Sequence, residues 1–324
     1  MRFLLAAAVA LPMLIQPTPA NVPRAEISSA RIRASLYLPD PASGYYRGTR
    51  FDWSGVIASL KWNGHEYFGQ WFDRYDPKLH DAITGPVEEF LTGDTSSLGF
   101  AEAKPGEPFV RIGIGAVRKP DDAPYKRFDT YDLVDPGKWT IKEGPGWIEF
   151  VHELGDTGGY AYVYPKRISL AGDSIVLDHT LRNTGSKRIA TSVYNHNFFT
   201  LDGATTGPDF VVRFPFAPRP QRSFDGAAEV RGSDLVFLRT FEAKQTIFSE
   251  LDGFGSSARD YGFTMENRAT GAGVRVTGDR PVQKLYFWSA WKTICPEPYI
   301  DVSVDPGKTS SWRTTYEFFQ STAR

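Results

Sequence analysis

Residues 159–202 read GYAYVYPKRISLAGDSIVLDHTLRNTGSKRIATSVYNHNFFTLD. Apolar and polar residues alternate through Gly159 to Leu170 and again through Ser174 to Asn183, the period of a half-buried strand. Ala171-Gly172-Asp173 supplies the turn between them, and Asn183-Thr184-Gly185 the next one. A third alternating run, Ile189 to Tyr194, ends in Asn195-His196-Asn197-Phe198-Phe199. Three consecutive strands joined by tight turns make an antiparallel meander.

The same pattern extends in both directions. Ala30–Leu38, Val56–Lys61, Val110–Val117, Trp147–Glu153, Asp234–Phe241, Gly273–Thr277, Gln283–Trp291 and Ser311–Phe319 are among about fifteen short runs that read as strands. Long helical periodicity is absent, and only Pro86–Leu91 is expected to form a short helix. Many strands without helical intervals predict an all-β fold, a large antiparallel β-sandwich. No linker composition divides the chain, so residues 21–324 are expected to be one domain. The stretches Tyr67–Phe100 and Pro215–Arg231 are long and irregular, as loops that carry binding groups often are.

Residues 1–20 read as a signal peptide: a positive start at Arg2, an apolar run Phe3–Ile15, and small residues ending at Ala20. The expected location is periplasmic or secreted, with no membrane contact after cleavage. Cys295 is the only cysteine, so neither an internal disulfide nor a cysteine metal cluster is available. The 37 basic and 38 acidic residues balance to a net charge of -1, which gives no electrostatic basis for nucleic-acid binding. Aromatic residues make up 14% of the chain, which suits a β-rich core and equally suits stacking on sugar rings.

The five histidines show no metal-ligand spacing, and the chain has no GxSxG, P-loop or dinucleotide fingerprint. Loop carboxylates Asp73, Asp76 and Asp81 leave a calcium site open as an alternative. Arg50 lies in a segment, Gly44–Gly55, dense in rings and guanidinium groups that suit sugar hydroxyls. His152 and Tyr160 flank the Gly158-Gly159 turn and are candidate substrate contacts, with Tyr160, Tyr162 and Tyr164 sharing one strand face by period two. Glu88 and Glu89 are either site carboxylates or a solvated helix start. His65 reads as a surface histidine, and Asp178-His179 as a structural polar pair.

The segment Asn195-His196-Asn197-Phe198-Phe199-Thr200-Leu201 resembles the N-H-x-Y-F-x-L motif of the aldose 1-epimerase (galactose mutarotase-like) superfamily, with Phe198 at the usual tyrosine. Tyr286-Phe287-Trp288-Ser289-Ala290-Trp291-Lys292-Thr293-Ile294-Cys295-Pro296-Glu297-Pro298 resembles the strand and loop that deliver the catalytic glutamate in the hexose-phosphate epimerase branch. The resemblance implies a galactose mutarotase-like β-sandwich with a carbohydrate substrate and no cofactor. It also implies His196 as the general acid and Glu297 as the base for sugar ring opening; Asn195 and Trp291 from the same two motifs, and Glu89 from outside them, are candidate substrate-binding positions. The chain departs from the family pattern at Leu98, where a second histidine is usual, and at Gly85–Phe90, where an arginine-bearing strand is usual. Those departures disfavour a phosphorylated sugar and keep a polysaccharide lyase, a glycoside hydrolase and a non-catalytic sugar-binding protein open as alternatives.

Overall fold

The computed structural model describes residues 21–93 and 95–321, so the signal-peptide reading lies outside the described residues. Two large antiparallel sheets dominate. The ten-stranded sheet contains the meander Trp147–Thr157, Tyr160–Ala171 and Ser174–Asn183, with Thr309–Gln320 paired to its last strand. The six-stranded sheet runs in the order Arg219–Pro220, Thr246–Asp252, Lys284–Ala290, Thr293–Val304, Ile189–His196, Val87–Leu91. Ile189–His196, third run of the opening stretch, therefore leaves the meander and joins the opposite sheet. A four-stranded N-terminal sheet and a three-stranded sheet flank these two.

Alternation explains the packing. In Trp147–Leu154 every second residue, Ile148, Phe150, His152 and Leu154, is buried. Ser174–Asn183 does the same with Ile175, Leu177, His179 and Leu181. Their apolar members pack with Ile189, Val193, Ile300 and Val302 from the six-stranded sheet in one core cluster. The hairpin before that region turns at Gly113 and Gly115, both at positive φ. A Cβ on Gly113 would fall 2.4 Å from the Asp52 carboxylate, so only glycine fits this close approach.

Residues Pro86–Leu91, expected to be helical, contain the strand Val87–Leu91, buried at every position. Five residues are too few to sustain a helix alone, whereas pairing with Ile189–His196 satisfies one side of the backbone and Asp52 N–H donates to the Glu88 carbonyl on the other. Strand geometry sends Glu88 and Glu89 to opposite faces. Glu88 enters the space between the sheets, where Oε1 accepts hydrogen bonds from Asn195 Nδ2 at 2.8 Å and lies 2.8 Å from His179 Nε2. Its Oε2 contacts Lys166 Nζ, which also donates to the Ser54 carbonyl at 2.9 Å and lies 3.9 Å from Asp52. All of these side chains are buried.

Burial alone would raise the Glu88 pKa, but Lys166 and His179 outweigh it and hold the carboxyl down at about 2. The same burial, with Glu88 nearby, pushes Asp52 up to about 7 against the pull of Lys166. His179 is thus the structural histidine expected, though its partner is Glu88, while the adjacent Asp178 points outward to Arg313 at 2.6 Å. His65 is half-buried against Asp202 at 3.0 Å rather than free on the surface.

Because the folded pKa of Glu88 lies below the ordinary 4.5, its stabilisation is full above pH 4.5 and is lost as pH falls towards about 2. Lys166→Met should cost about 3–5 kcal/mol by leaving Glu88 buried without its cation. Adding Glu88→Gln should recover much of that loss. Chemical denaturation of the two variants at neutral pH checks this, and equal losses in the single and double variants would contradict it.

Candidate active site

The other face of the six-stranded sheet carries the site. Along Ile189–His196, the residues Ser192, Tyr194 and His196 share that face by period two. Tyr194 pairs with Tyr299 on the neighbouring strand, and two further steps of the same register bring His196 opposite Glu297. His196 Nε2 lies 3.2 Å from Glu297 Oε1. Glu297 in turn pairs with Tyr286, and Trp288 with Phe248 on the next strand. Loop residues Arg50, His80, Asp81, Arg127 and Phe128 close the surround of a cavity of about 310 Å³, lined also by His196, Phe198, Phe248, Tyr286, Trp288 and Glu297.

The Asn-His-Asn sequence works by the same alternation. Asn195 faces inward and holds Glu88. Asn197 donates to the Pro296 carbonyl at 2.6 Å and accepts from the Tyr316 hydroxyl at 2.8 Å. Phe198 takes a positive φ of 44° and its N–H meets Cys295 Sγ at 3.2 Å. A phenylalanine in that conformation is strained and needs its surroundings to hold it. Here the strain places its ring flat against the His196 imidazole, 3.7 Å between centroids, while Phe51 and Trp288 meet the imidazole edge-on. The two motifs are thus clamped to each other by backbone-directed bonds, and the imidazole is fixed on three sides.

Beneath the cavity, Glu89 collects four short hydrogen bonds. Arg127 donates twice, at 2.9 and 2.7 Å, Arg50 Nε donates at 3.0 Å, and the Tyr194 hydroxyl at 2.6 Å. Arg111 stands 3.8 Å away. Burial opposes ionisation of Glu89, but the guanidinium groups of Arg127 and Arg50 overcome it and hold the carboxyl far below its ordinary range. Glu89 therefore positions the two arginines.

Glu297 has no such cation bonded to it. Burial pushes its pKa up to about 8 against the pull of Arg50 and Arg127, with Glu89 adding to the rise. Burial, with Arg50 and Arg127, pushes His196 well below its ordinary 6.5. Near neutral pH the pair therefore holds one proton, and the low-dielectric setting keeps it on the carboxyl beside a neutral imidazole.

Of the catalytic and substrate-binding candidates, His196, Glu297 and Arg50 come together at this cavity, with Glu89 behind it. The others lie elsewhere. Asn195 faces the inter-sheet space. His152 is buried in the ten-stranded sheet, stacked on Trp139 and bonded to the Tyr162 hydroxyl and the Pro136 carbonyl, both at 2.9 Å. Tyr160 is tied to Glu102 at 2.8 Å, away from the cavity, while Tyr162 and Tyr164 are core residues. Trp291 sits in the turn before Thr293, half-buried against core residues and outside the cavity lining. Leu98 is buried in the core and does not line the cavity. Among the described residues, no three His, Cys, Asp or Glu side chains gather as metal ligands, and Asp73, Asp76 and Asp81 do not converge.

Arg127, His80, Phe128 and Phe248 were not singled out, Asp81 was read only as a possible calcium ligand, and Tyr286 and Trp288 stood in the second motif without an assigned role. His80 and Asp81 come from the irregular Tyr67–Phe100 stretch, as its irregularity suggested, whereas Pro215–Arg231 contributes nothing to the cavity. Arg127 follows Pro124-Tyr125-Lys126 in a loop with no periodic signal.

No protein-family model and no curated protein matches the sequence. Solved structures do match in fold. A Synechocystis sp. PCC 6803 protein superposes with a TM-score of 0.58 at 14% identity, over 95% of this chain and 99% of that one. The GalM/aldose epimerase homologue from C. elegans gives 0.56 at 13% identity, over 92% and 99%. A galactose mutarotase related enzyme from Lactobacillus acidophilus gives 0.53 at 12% identity, over 92% and 98%. The chain has the galactose mutarotase-like β-sandwich fold, and its structural neighbours include aldose epimerase-like proteins.

The raised Glu297 pKa has a stability signature. The folded value, about 8, exceeds the ordinary 4.5, so this group's contribution is full below pH 4.5 and is lost as pH rises through about 8. Glu297→Gln keeps the shape without the charge. Its Tm should exceed that of wild type at pH 8.5, by roughly 2–4 °C for each kcal/mol relieved, and the gap should close towards pH 5. A Tm gap that does not change with pH would contradict the assignment.

Proposed function

We propose that the protein is an aldose 1-epimerase-like enzyme that interconverts the anomers of a reducing sugar. The observation that carries this reading is the His196–Glu297 contact of 3.2 Å at the wall of a cavity of small-molecule size. Anomer exchange removes a proton from the C1 hydroxyl and adds one to the ring oxygen, after which the ring opens, the C1–C2 bond turns and closure gives the other anomer. Both oxygens sit on the same carbon. A donor and an acceptor in direct contact therefore match the reaction, and a pair holding one proton contains one of each.

With the proton on His196, the imidazole serves as acid and Glu297 as base, the roles the family resemblance implies. With the proton on Glu297, where it rests near neutral pH, the roles exchange, so the pair can open the ring from either state and close it from the other. Each group would contribute on the order of 10²–10⁴-fold. Arg50 and Arg127, fixed by Glu89, supply guanidinium donors for ring hydroxyls, and Trp288 and Tyr286 supply aromatic surface for the apolar face of a pyranose. The apolar N-terminal run favours action outside the cytoplasm.

Arg50 and Arg127 also favour a second reading, elimination from an acidic polysaccharide, in which a guanidinium pair neutralises a uronate carboxylate. The two separate cleanly. Polarimetry of freshly dissolved α-hexoses should show accelerated equilibration with wild type and a loss of about 10²-fold or more in Glu297→Gln. Equilibration no faster with wild type across a sugar panel would end the epimerase reading, and a near-ultraviolet product from an acidic polysaccharide would replace it. The kcat/KM profile should fall as pH rises through about 8, where the shared proton leaves the pair. A profile that instead climbs through pH 8 would contradict the one-proton mechanism.

A further inference from the structure

A second cavity of about 500 Å³ lies on the same sheet face and shares Tyr286 with the first. Its floor continues the strands that carry the acid–base pair. Ser192 follows the alternation back from His196 through Tyr194, and Asp301 follows it on from Glu297 through Tyr299. Lys284 does the same on the Tyr286 strand. From His196 back to Ala190 the strand advances six residues, roughly 20 Å at ~3.3 Å per residue.

The junction between the cavities is aromatic and rigid. Tyr299 stacks on Tyr194 with 4.2 Å between centroids, Tyr286 meets Tyr299 edge-on at 5.3 Å, and Arg127 donates to the Tyr299 hydroxyl at 3.4 Å. Beyond it the lining is polar and of mixed sign: Lys284 and Arg188 against Asp301, with Gln283, Ser192 and Ser303 between them. Arg188 is already engaged by Asp305 and Ser303. Hydroxyl, amide and carboxylate groups beside tyrosine rings suit a polyhydroxylated chain. The balance of charge suits neither nucleic acid nor a long apolar segment.

We propose that the two cavities form one saccharide groove, and that the substrate is a reducing oligosaccharide. Its reducing-end ring occupies the His196–Glu297 cavity, and the following rings run over Tyr286 and Tyr299 towards Ser192 and Asp301. This rests on the epimerase reading for the placement of the reducing end.

The test is isothermal titration of wild type with gluco-, xylo- and galacto-oligosaccharides of one to four residues, with polarimetric kcat/KM on the same sugars. In at least one series Kd should tighten by about tenfold or more from one residue to three. In Ser192→Trp and Asp301→Ala, two variants chosen so that one misfolding leaves the other, that dependence on length should collapse. Affinity independent of length in all three series overturns the groove, as does unchanged length dependence in folded variants. Tightening with length but no accelerated anomer exchange would keep the groove and remove the epimerase reading. Accelerated exchange with flat affinities would do the reverse.

Discussion

Two adjacent carboxylates, Glu88 and Glu89, are buried on opposite faces of one five-residue strand, and much of the structure is arranged around their compensation. A buried carboxylate without partners is costly enough to be neutralised instead. Glu88 is therefore met between the sheets by Lys166 and His179 of the ten-stranded sheet and by Asn195 of the six-stranded one. Glu89 is met on the site side by Arg127, Arg50 and Tyr194. One strand thus ties the sheets together and fixes the cations of the cavity. Pairing its register to Ile189–His196 sets where His196 stands.

Glu297 is the contrasting case. Its depth matches that of Glu89, yet the arginines that could ionise it are already bonded to Glu89. The same desolvation that Glu89 overcomes therefore governs Glu297, and two carboxylates in one neighbourhood are driven to opposite protonation states. The difference suits an acid–base role, since a group that titrates near neutral pH can both give and accept a proton.

The period-two patterns carried most of the fold, because a strand half-buried between sheet and solvent writes its geometry directly into sequence. Residues 159–202 show both the meander and, at Asn195-His196-Asn197, the point where alternation delivers one side chain to the site and two to the interior. Val87–Leu91 was misread because burial on both faces erases alternation, and its polar content comes from glutamates whose partners lie far away in sequence. His152 and Tyr160 looked like site residues because a polar group near a glycine turn is ambiguous between solvent, core and cavity. Only the sheet assignment separates these. Arg127 was illegible for a different reason: it reaches Glu89 from an irregular loop, and no local pattern encodes that 38-residue separation.

The proposed reaction requires the anomeric carbon to sit over the His196–Glu297 pair, with O1 and the ring oxygen facing the two groups. A crystal structure of Glu297→Gln with a reducing sugar tests it without turnover. O1 and the ring oxygen should lie within about 2.6–3.2 Å of the residue 297 carboxamide and the His196 imidazole, one on each. A sugar seated with its anomeric carbon out of reach of both groups would contradict it.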